Sequence, residues 1–127
     1  MTEKELYEKA KQAAELAYAP YSRFHVGAAL LTKDGEVFTG VNVENASYGA
    51  TICAERTAVV KAVSEGFREF SAIAVAAAGE DGTAYPCGIC RQFLWEFGSD
   101  ICVITGADAD HLIARPISEL LPAGFRL

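Results

Sequence analysis

The sequence has no apolar run long enough to cross a bilayer, which takes about 20 consecutive apolar residues in a helix. Its first ten residues, MTEKELYEKA, are polar and helix-forming, unlike a secretory signal peptide. We therefore expect a cytoplasmic protein with no membrane partner. The four cysteines of such a protein are expected to be metal ligands, catalytic thiols or core residues rather than disulfides.

A basic cluster is also absent. The 11 lysines and arginines are scattered among 17 acidic residues, which gives a net charge of −6. Because a protein that binds phosphate backbones needs clustered cationic side chains, we do not expect nucleic acid as a partner. Histidine is scarce too: His25 and His111 are the only two, and both lie away from the cysteines in sequence. We expect neither of them to have a catalytic role.

The composition and pattern predict one domain, 1–127, with an α/β fold. A hydrophobic content of 51% excludes a disordered chain. Thr2 and Glu5 have the spacing of a capping box, and the helix behind them should end before Pro20. The elements predicted after it are two strands around the turn 33–35, a helix over about 53–65, an apolar strand over 70–78, a helix over about 89–97, and strands over 101–105 and 111–116. This order predicts a mixed sheet covered by helices.

Two segments contain potential metal ligands: Cys53-Ala54-Glu55-Arg56 and Pro86-Cys87-Gly88-Ile89-Cys90. A lone Cys-x-x-Cys is compatible with a zinc half-site, a redox pair or chance. A redox pair would be expected directly after a strand, whereas a turn-rich stretch precedes this one. Cys53 adds a third thiol at the start of another predicted helix, and helix N-termini favour the thiolates that bind zinc.

Three cysteine ligands would leave the fourth tetrahedral position to water, as in catalytic zinc sites. Cys102 could close the site as a fourth ligand, but its apolar surroundings favour a core position. Glu55 would lie beside the metal, where a carboxylate can take a proton from water and pass it on; the alternative is an exposed acid in a first helical turn. Arg56 would either offset the negative charge of three thiolates by donating to the sulfurs or be an ordinary surface arginine.

These two segments resemble those of the small, homotetrameric cytidine deaminases. Zinc deaminases carry H-x-E followed by P-C-x-x-C. Cys53 stands where that pattern has His, which matches the all-cysteine branch of the family. The resemblance covers the chain from about residue 18 to its end. Its further matches are the segments 18–22, 26–29, 42–49 and 120–122, together with Phe24 and Phe125.

The resemblance implies a three-layer α/β/α fold with a mixed five-stranded sheet. It also implies one Zn²⁺ per chain on Cys53, Cys87 and Cys90. The implied reaction is the hydrolysis of free cytidine and 2'-deoxycytidine to uridine and 2'-deoxyuridine plus ammonia, a step of pyrimidine salvage. Water activated by zinc would attack C4 of the base, and Glu55 would shuttle the protons.

The substrate-binding residues that the resemblance implies are Phe24, Asn42, Glu44, Tyr48, Ala54 and Phe125. Phe24 would pack on the pyrimidine, Asn42 and Glu44 would bind the ribose, and the Ala54 N–H would meet the pyrimidine carbonyl. Phe125 would reach into a neighbouring subunit and stack on the base bound there, so that active sites are shared. Tyr85 departs from the relatives, which usually carry Ser or Thr at that position; only its backbone carbonyl is expected to matter for catalysis.

Three alternatives stay open at this point. A relative acting on another aminopyrimidine, such as a nucleoside antibiotic, should differ in the residues around Asn42 and Glu44. An editing deaminase acting on polynucleotides is disfavoured by the acidic charge. A non-catalytic module stapled by zinc would need a fourth protein ligand and would leave Glu55 without a role.

Overall fold

The computed structural model describes residues 1–127 and centres on one five-stranded sheet. Its strands are β1 (Val26–Thr32), β2 (Val37–Val41), β3 (Phe70–Ala77), β4 (Cys102–Asp108) and β5 (His111–Pro116), in the order β2-β1-β3-β4-β5. Only the β3–β4 pair is parallel, and the other three pairs are antiparallel. The mixed five-stranded sheet implied by the resemblance is confirmed.

Helices cover both faces of the sheet, which makes three layers. They are α1 (Glu3–Ala13), α2 (Ala54–Ser64), α3 (Gly88–Trp95) and α4 (Ile117–Leu120), with 3₁₀ turns at Ala14–Leu16 and Tyr48–Ala50. One core cluster joins α1 to the sheet, and a larger one joins the sheet to α2, α3 and α4. None of these helices has the length and apolar character needed to span a membrane.

The position of β3 in the middle of the sheet explains why its sequence shows no alternation of apolar and polar residues. Ile73 and Val75 pack towards α2 and α3, while Ala72 and Ala74 pack towards α1 on the opposite face. A strand buried on both faces needs apolar side chains at nearly every position. The small alanines leave room for α1 to lie close to the sheet.

The element boundaries agree with the sequence to within two residues, except in two places. The capping box is present: the Glu5 N–H donates to Thr2 Oγ1 at 3.1 Å and the Thr2 N–H donates to Glu5 Oε1 at 2.8 Å. Strand β4 continues three residues beyond the predicted end at Thr105, because Gly106 and Asp108 pair with β5 despite their low strand propensity. Helix α4 was not predicted, since four residues are too few to show helical periodicity.

Gly40 fixes how closely α2 approaches the sheet. A Cβ at this position of β2 would overlap Ala58 N and Ala54 O of the helix. Because glycine lacks that atom, the first turns of α2 lie directly on the β2 backbone. The N-terminus of α2, with Cys53 and Glu55, is thereby held at a defined depth.

Candidate metal centre and adjoining cavity

Two helix N-termini bring three cysteines together. Cys53 is the N-cap of α2, Cys87 is the N-cap of α3, and Cys90 lies in the first turn of α3. All three Sγ atoms lie within 4.8 Å of one another, and Cys53 Sγ is 3.7 Å from Cys87 Sγ. No other group of three histidine, cysteine or acidic side chains converges this closely.

This arrangement fits zinc. With Zn–S bonds of about 2.3 Å in a tetrahedral site, two sulfur ligands lie about 3.8 Å apart, close to the distance between Cys53 and Cys87. The three residues supply three ligands, which leaves one tetrahedral position for water or substrate. Cys102 lies in β4, packed against the α1 side of the sheet, and is not part of the group. The donor set is therefore that of an open zinc site, one per chain.

The surroundings favour a thiolate at Cys53. A hydrogen bond from the Cys90 thiol lowers the pKa of Cys53 to about 5, and hydrogen bonds from Arg56 and Cys87 add to the effect. Arg56 Nη2 lies 3.6 Å from Cys53 Sγ and also donates to the Thr51 carbonyl at 3.3 Å. The hydrogen bond to Cys53 and burial raise the pKa of Cys90. A thiolate stabilised before metal arrives lowers the cost of ligation.

Glu55 is the second residue of α2 and is almost completely buried, with 4% of its surface exposed. Burial raises the pKa of its carboxyl to about 7, and the neighbouring Cys53 charge adds to the rise, whereas its own backbone amide and Arg56 oppose it. A group that titrates near neutral pH can both accept and deliver a proton. Glu55 is therefore suited to acid–base chemistry at this place.

A cavity of about 410 Å³ opens beside the cysteines, which is a suitable size for a small ligand. Cys53, Cys87 and Glu55 form part of its wall, as do three of the expected substrate-binding residues, Phe24, Asn42 and Ala54. Ala54 is the first residue of α2, so its backbone N–H has no partner within the helix. The cavity thus combines thiols, a titratable carboxyl, a free amide donor and an aromatic ring.

The Asn42 side chain ties the cavity wall to β1. Its Oδ1 accepts from the Val26 N–H at 2.9 Å, and its Nδ2 donates to the Phe24 carbonyl at 2.8 Å. The second Nδ2 hydrogen is left for a ligand. Asn42 therefore also fixes the backbone that carries Phe24.

Glu44 and Tyr48 line a second cavity next to the first, and Thr51 lines both. The Glu44 carboxylate accepts from the backbone N–H groups of Tyr21 and Ser22 at 2.9 and 3.0 Å, and also from the Ser22 hydroxyl. The hydrogen bond from the Ser22 hydroxyl lowers the pKa of Glu44 most, and the two backbone hydrogen bonds lower it further. The Tyr48 ring meets that of Tyr21 edge to face at 5.9 Å. Glu44 and Tyr48, both expected at the substrate site, therefore line the cavity adjacent to the one that contains Cys53 and Cys87.

Phe125 is not among the residues that line either cavity. Its backbone is bonded to Gln92 of α3, and its side chain is 64% exposed. Of all the residues expected at the site, this one alone lies apart from the others. Neither histidine lines the two cavities: His25 lies just before β1, between the lining residues Phe24 and Val26, and His111 lies at the exposed start of β5, paired with Asp108.

Several lining residues carry no sequence signal of their own. The cavity wall also contains Val26, Thr51, Val75, Thr83, Ala84 and Tyr85. Most of them belong to strands or loops that the fold brings in from a distance. For Tyr85 a signal did exist, since it directly precedes the Pro-Cys pair, but only its backbone was expected to matter. Tyr85 is 44% exposed and is among the residues that line the cavity.

The chain matches the family model for the cytidine and deoxycytidylate deaminase zinc-binding region over residues 1–105. It is 55% identical over 116 residues to a probable cytidine deaminase of Dictyostelium discoideum, covering 91% of this chain and 78% of that protein. It is 53% identical over 121 residues to a cytidine deaminase of Halalkalibacterium halodurans, covering 94% of this chain and 91% of that protein.

Solved structures are similar as well. The crystal structure of a cytidine deaminase from Burkholderia pseudomallei superimposes with a TM-score of 0.91 at 48% sequence identity. The superposition covers 98% of this chain and 100% of that one. The likeness therefore extends over the sheet, the helices and both segments that carry the cysteines.

Proposed function

The chain belongs to the cytidine and deoxycytidylate deaminase family, and from that premise we propose that it hydrolyses free cytidine and 2'-deoxycytidine to uridine and 2'-deoxyuridine plus ammonia. Such a reaction serves pyrimidine salvage. The observation that carries the proposal is the position of Glu55, buried with a raised pKa, on the wall of the cavity that also exposes Cys53 and Cys87.

Cys53, Cys87 and Cys90 would hold the zinc ion, which would supply an activated water as the nucleophile at neutral pH. Glu55 carries out the proton transfers. Glu55 accepts the proton of the attacking water as its oxygen bonds to C4 of the base. It delivers this proton to N3, takes the second proton from the new hydroxyl group on C4, and delivers that one to the amine, whose bond to C4 breaks as ammonia leaves. The buried position of Glu55 keeps bulk water out of these transfers.

Five residues surround the base and sugar in this proposal. Phe24 packs on the pyrimidine, and the free Ala54 N–H donates to its carbonyl. The remaining Nδ2 hydrogen of Asn42 and the carboxylate of Glu44 bind ribose hydroxyls, with Tyr48 at the outer side. Support comes from the two adjoining cavities that these residues line, since a nucleoside has two parts to bind.

We further propose a homotetramer in which Phe125 completes the site of a neighbouring subunit. Large apolar side chains are exposed around the two cavities and on the nearby face of α3; they include Tyr21, Phe24, Tyr48, Tyr85, Ile89 and Phe125. Such clustering is unusual on a monomer and typical of an interface. Sedimentation at several protein concentrations tests the assembly, and a fully active monomer would contradict it.

Cytoplasmic location is part of the same proposal. All four cysteines are free thiols, which suits a reducing compartment. The absence of a basic cluster supports free nucleosides over polynucleotides as substrates.

A substrate panel tests the proposed activity. Purified zinc-loaded protein is given cytidine, 2'-deoxycytidine, free cytosine, CMP and a single-stranded cytosine-containing oligonucleotide, and each product is quantified by chromatography. We expect rapid conversion of the two nucleosides only. Conversion of the oligonucleotide at a comparable kcat/KM would contradict the proposal.

A further inference from the structure

The last residues of the chain are held against α3 by one side chain. Gln92 Nε2 donates to the Phe125 carbonyl at 2.8 Å, and the Phe125 N–H points at Gln92 Oε1 at 3.4 Å. The side-chain amide therefore engages both backbone groups of a single residue. The Gln92 amide thus makes the two hydrogen bonds that the backbone of an adjacent β-strand would otherwise make to Phe125.

Two backbone features fix the path that leads to Phe125. Gly124 lies directly against the indole of Trp95, so closely that a Cβ would overlap the ring. Ala123 has a φ of 59°, in the left-handed region that residues with a Cβ rarely adopt. Such a conformation persists only where the surroundings determine it. The segment is therefore docked on α3 rather than frayed.

The same helix is connected to the cysteine loop. Arg91 Nε donates to the Pro86 carbonyl at 2.8 Å, and its Nη1 donates to the Leu120 carbonyl at 2.7 Å. Pro86 directly precedes Cys87, and Leu120 is the last residue of α4. Arg91 and Gln92, adjacent in sequence, thus tie the end of the chain to the helix that carries two of the three cysteines.

A fixed backbone with an exposed ring is what an aromatic donated to another chain requires. The Phe125 side chain is 64% exposed although both its backbone groups are engaged. Burial of the ring in the core of its own subunit would offset the conformational entropy lost when this segment is ordered. The ring is not buried there. The contacts with Gln92 and Trp95 offset part of the cost of ordering this segment, and a contact between the ring and another subunit would offset more of it.

We propose that Gln92 is the positioning residue for Phe125, holding its ring ready for the pyrimidine bound in a neighbouring subunit. The inference rests on the proposed function in one respect, the role of Phe125 in that site. Gln92 itself touches no substrate. Without its amide, the segment would have to be ordered at each binding event. That cost falls on ground state and transition state alike, so KM rises while kcat is retained.

The test compares Gln92→Met, which keeps the length of the side chain and removes both hydrogen bonds, with Gln12→Met. Gln12 is an exposed glutamine of α1 whose side chain makes no hydrogen bond, so it controls for the substitution itself. Stacking of a base on an aromatic ring is worth roughly 5- to 150-fold in affinity, which bounds the effect of Phe125→Ala. We expect Q92M to raise the KM for cytidine within that bound and to keep kcat within about twofold.

The double variant Q92M/F125A decides whether Gln92 acts through Phe125. Its KM should equal that of F125A alone, because the ring that Gln92 positions is already gone. Hydrogen–deuterium exchange of the peptide covering 118–127 should be faster in Q92M than in Q12M. If the two single effects multiply in the double variant, or if exchange and KM in Q92M match those of Q12M, the positioning role is wrong. If exchange is faster in Q92M but F125A leaves KM unchanged, the error lies in the role proposed for Phe125 instead.

Discussion

Replacing Glu55 with glutamine removes the proton carrier and changes little else. The amide has the shape of the carboxyl group, and Glu55 takes part in no ion pair that the change would break. A positioned acid–base group contributes roughly 10²–10⁴ in rate. Because the proposed mechanism uses Glu55 for two proton removals and two deliveries, we expect a loss of about 10⁴ or more in kcat, or about 5 kcal/mol in the barrier.

The stability of the same variant separates a catalytic from a structural effect. Burial raises the pKa of Glu55 from 4.5 to about 7, which corresponds to about 3 kcal/mol against its ionised form. In the wild type this group's favourable contribution is present below its unfolded pKa and is lost as pH rises through about 7. The glutamine does not titrate, so before zinc is added E55Q should unfold at a temperature at least as high as the wild type at neutral pH.

The assay for E55Q is steady-state conversion of cytidine at matched zinc content, with thermal unfolding followed on the same preparations before zinc is added. Retention of even a tenth of the wild-type turnover would show that Glu55 is not the proton carrier. A loss of activity accompanied by loss of zinc or of folded protein would instead mean that Glu55 acts on the site's structure.

Four further predictions follow from the site. Cys87→Ser should lose zinc, because two sulfurs no longer complete the three-thiol set, and metal analysis showing full occupancy would contradict the ligand assignment. Glu44→Gln should lower the ratio of kcat/KM for cytidine to that for free cytosine, because free cytosine lacks the ribose that this carboxylate is proposed to bind; an unchanged ratio would refute sugar binding by Glu44. Removal of residues 124–127 should raise KM roughly 5- to 150-fold with zinc retained. Mixed oligomers of E55Q and Phe125→Ala chains should exceed the activity of either parent, and no gain on mixing would argue against shared sites.

The sequence predicts the metal centre well because its signals are local. Each cysteine group lies at a helix start, and a short segment carries both the ligand Cys53 and Glu55. The physics that favours thiolates there depends on backbone geometry within one turn. Strand β3 was predictable for a similar reason, since its uninterrupted apolar run requires burial on both faces.

Features that depend on contacts between distant segments could not be predicted in this way. Thr51 joins two cavities only because the loop that carries it passes beside Arg56 and Glu44. Gln92 is polar on a helix face, and nothing near it in sequence indicates that it engages the backbone of Phe125, 33 residues away. The docked end of the chain likewise depends on Gly124 meeting Trp95, a contact with no local pattern.

The most direct test of zinc-dependent deamination by this chain is to measure ammonia release while zinc is added back. Metal-free protein is titrated with Zn²⁺, and the ammonia and uridine formed from cytidine are measured at each addition. We expect ammonia and uridine in equal amounts. Their rate of formation should rise linearly with added zinc and stop rising at one zinc per chain. Full activity without zinc, or no ammonia from cytidine at one zinc per chain, would contradict zinc-dependent deamination.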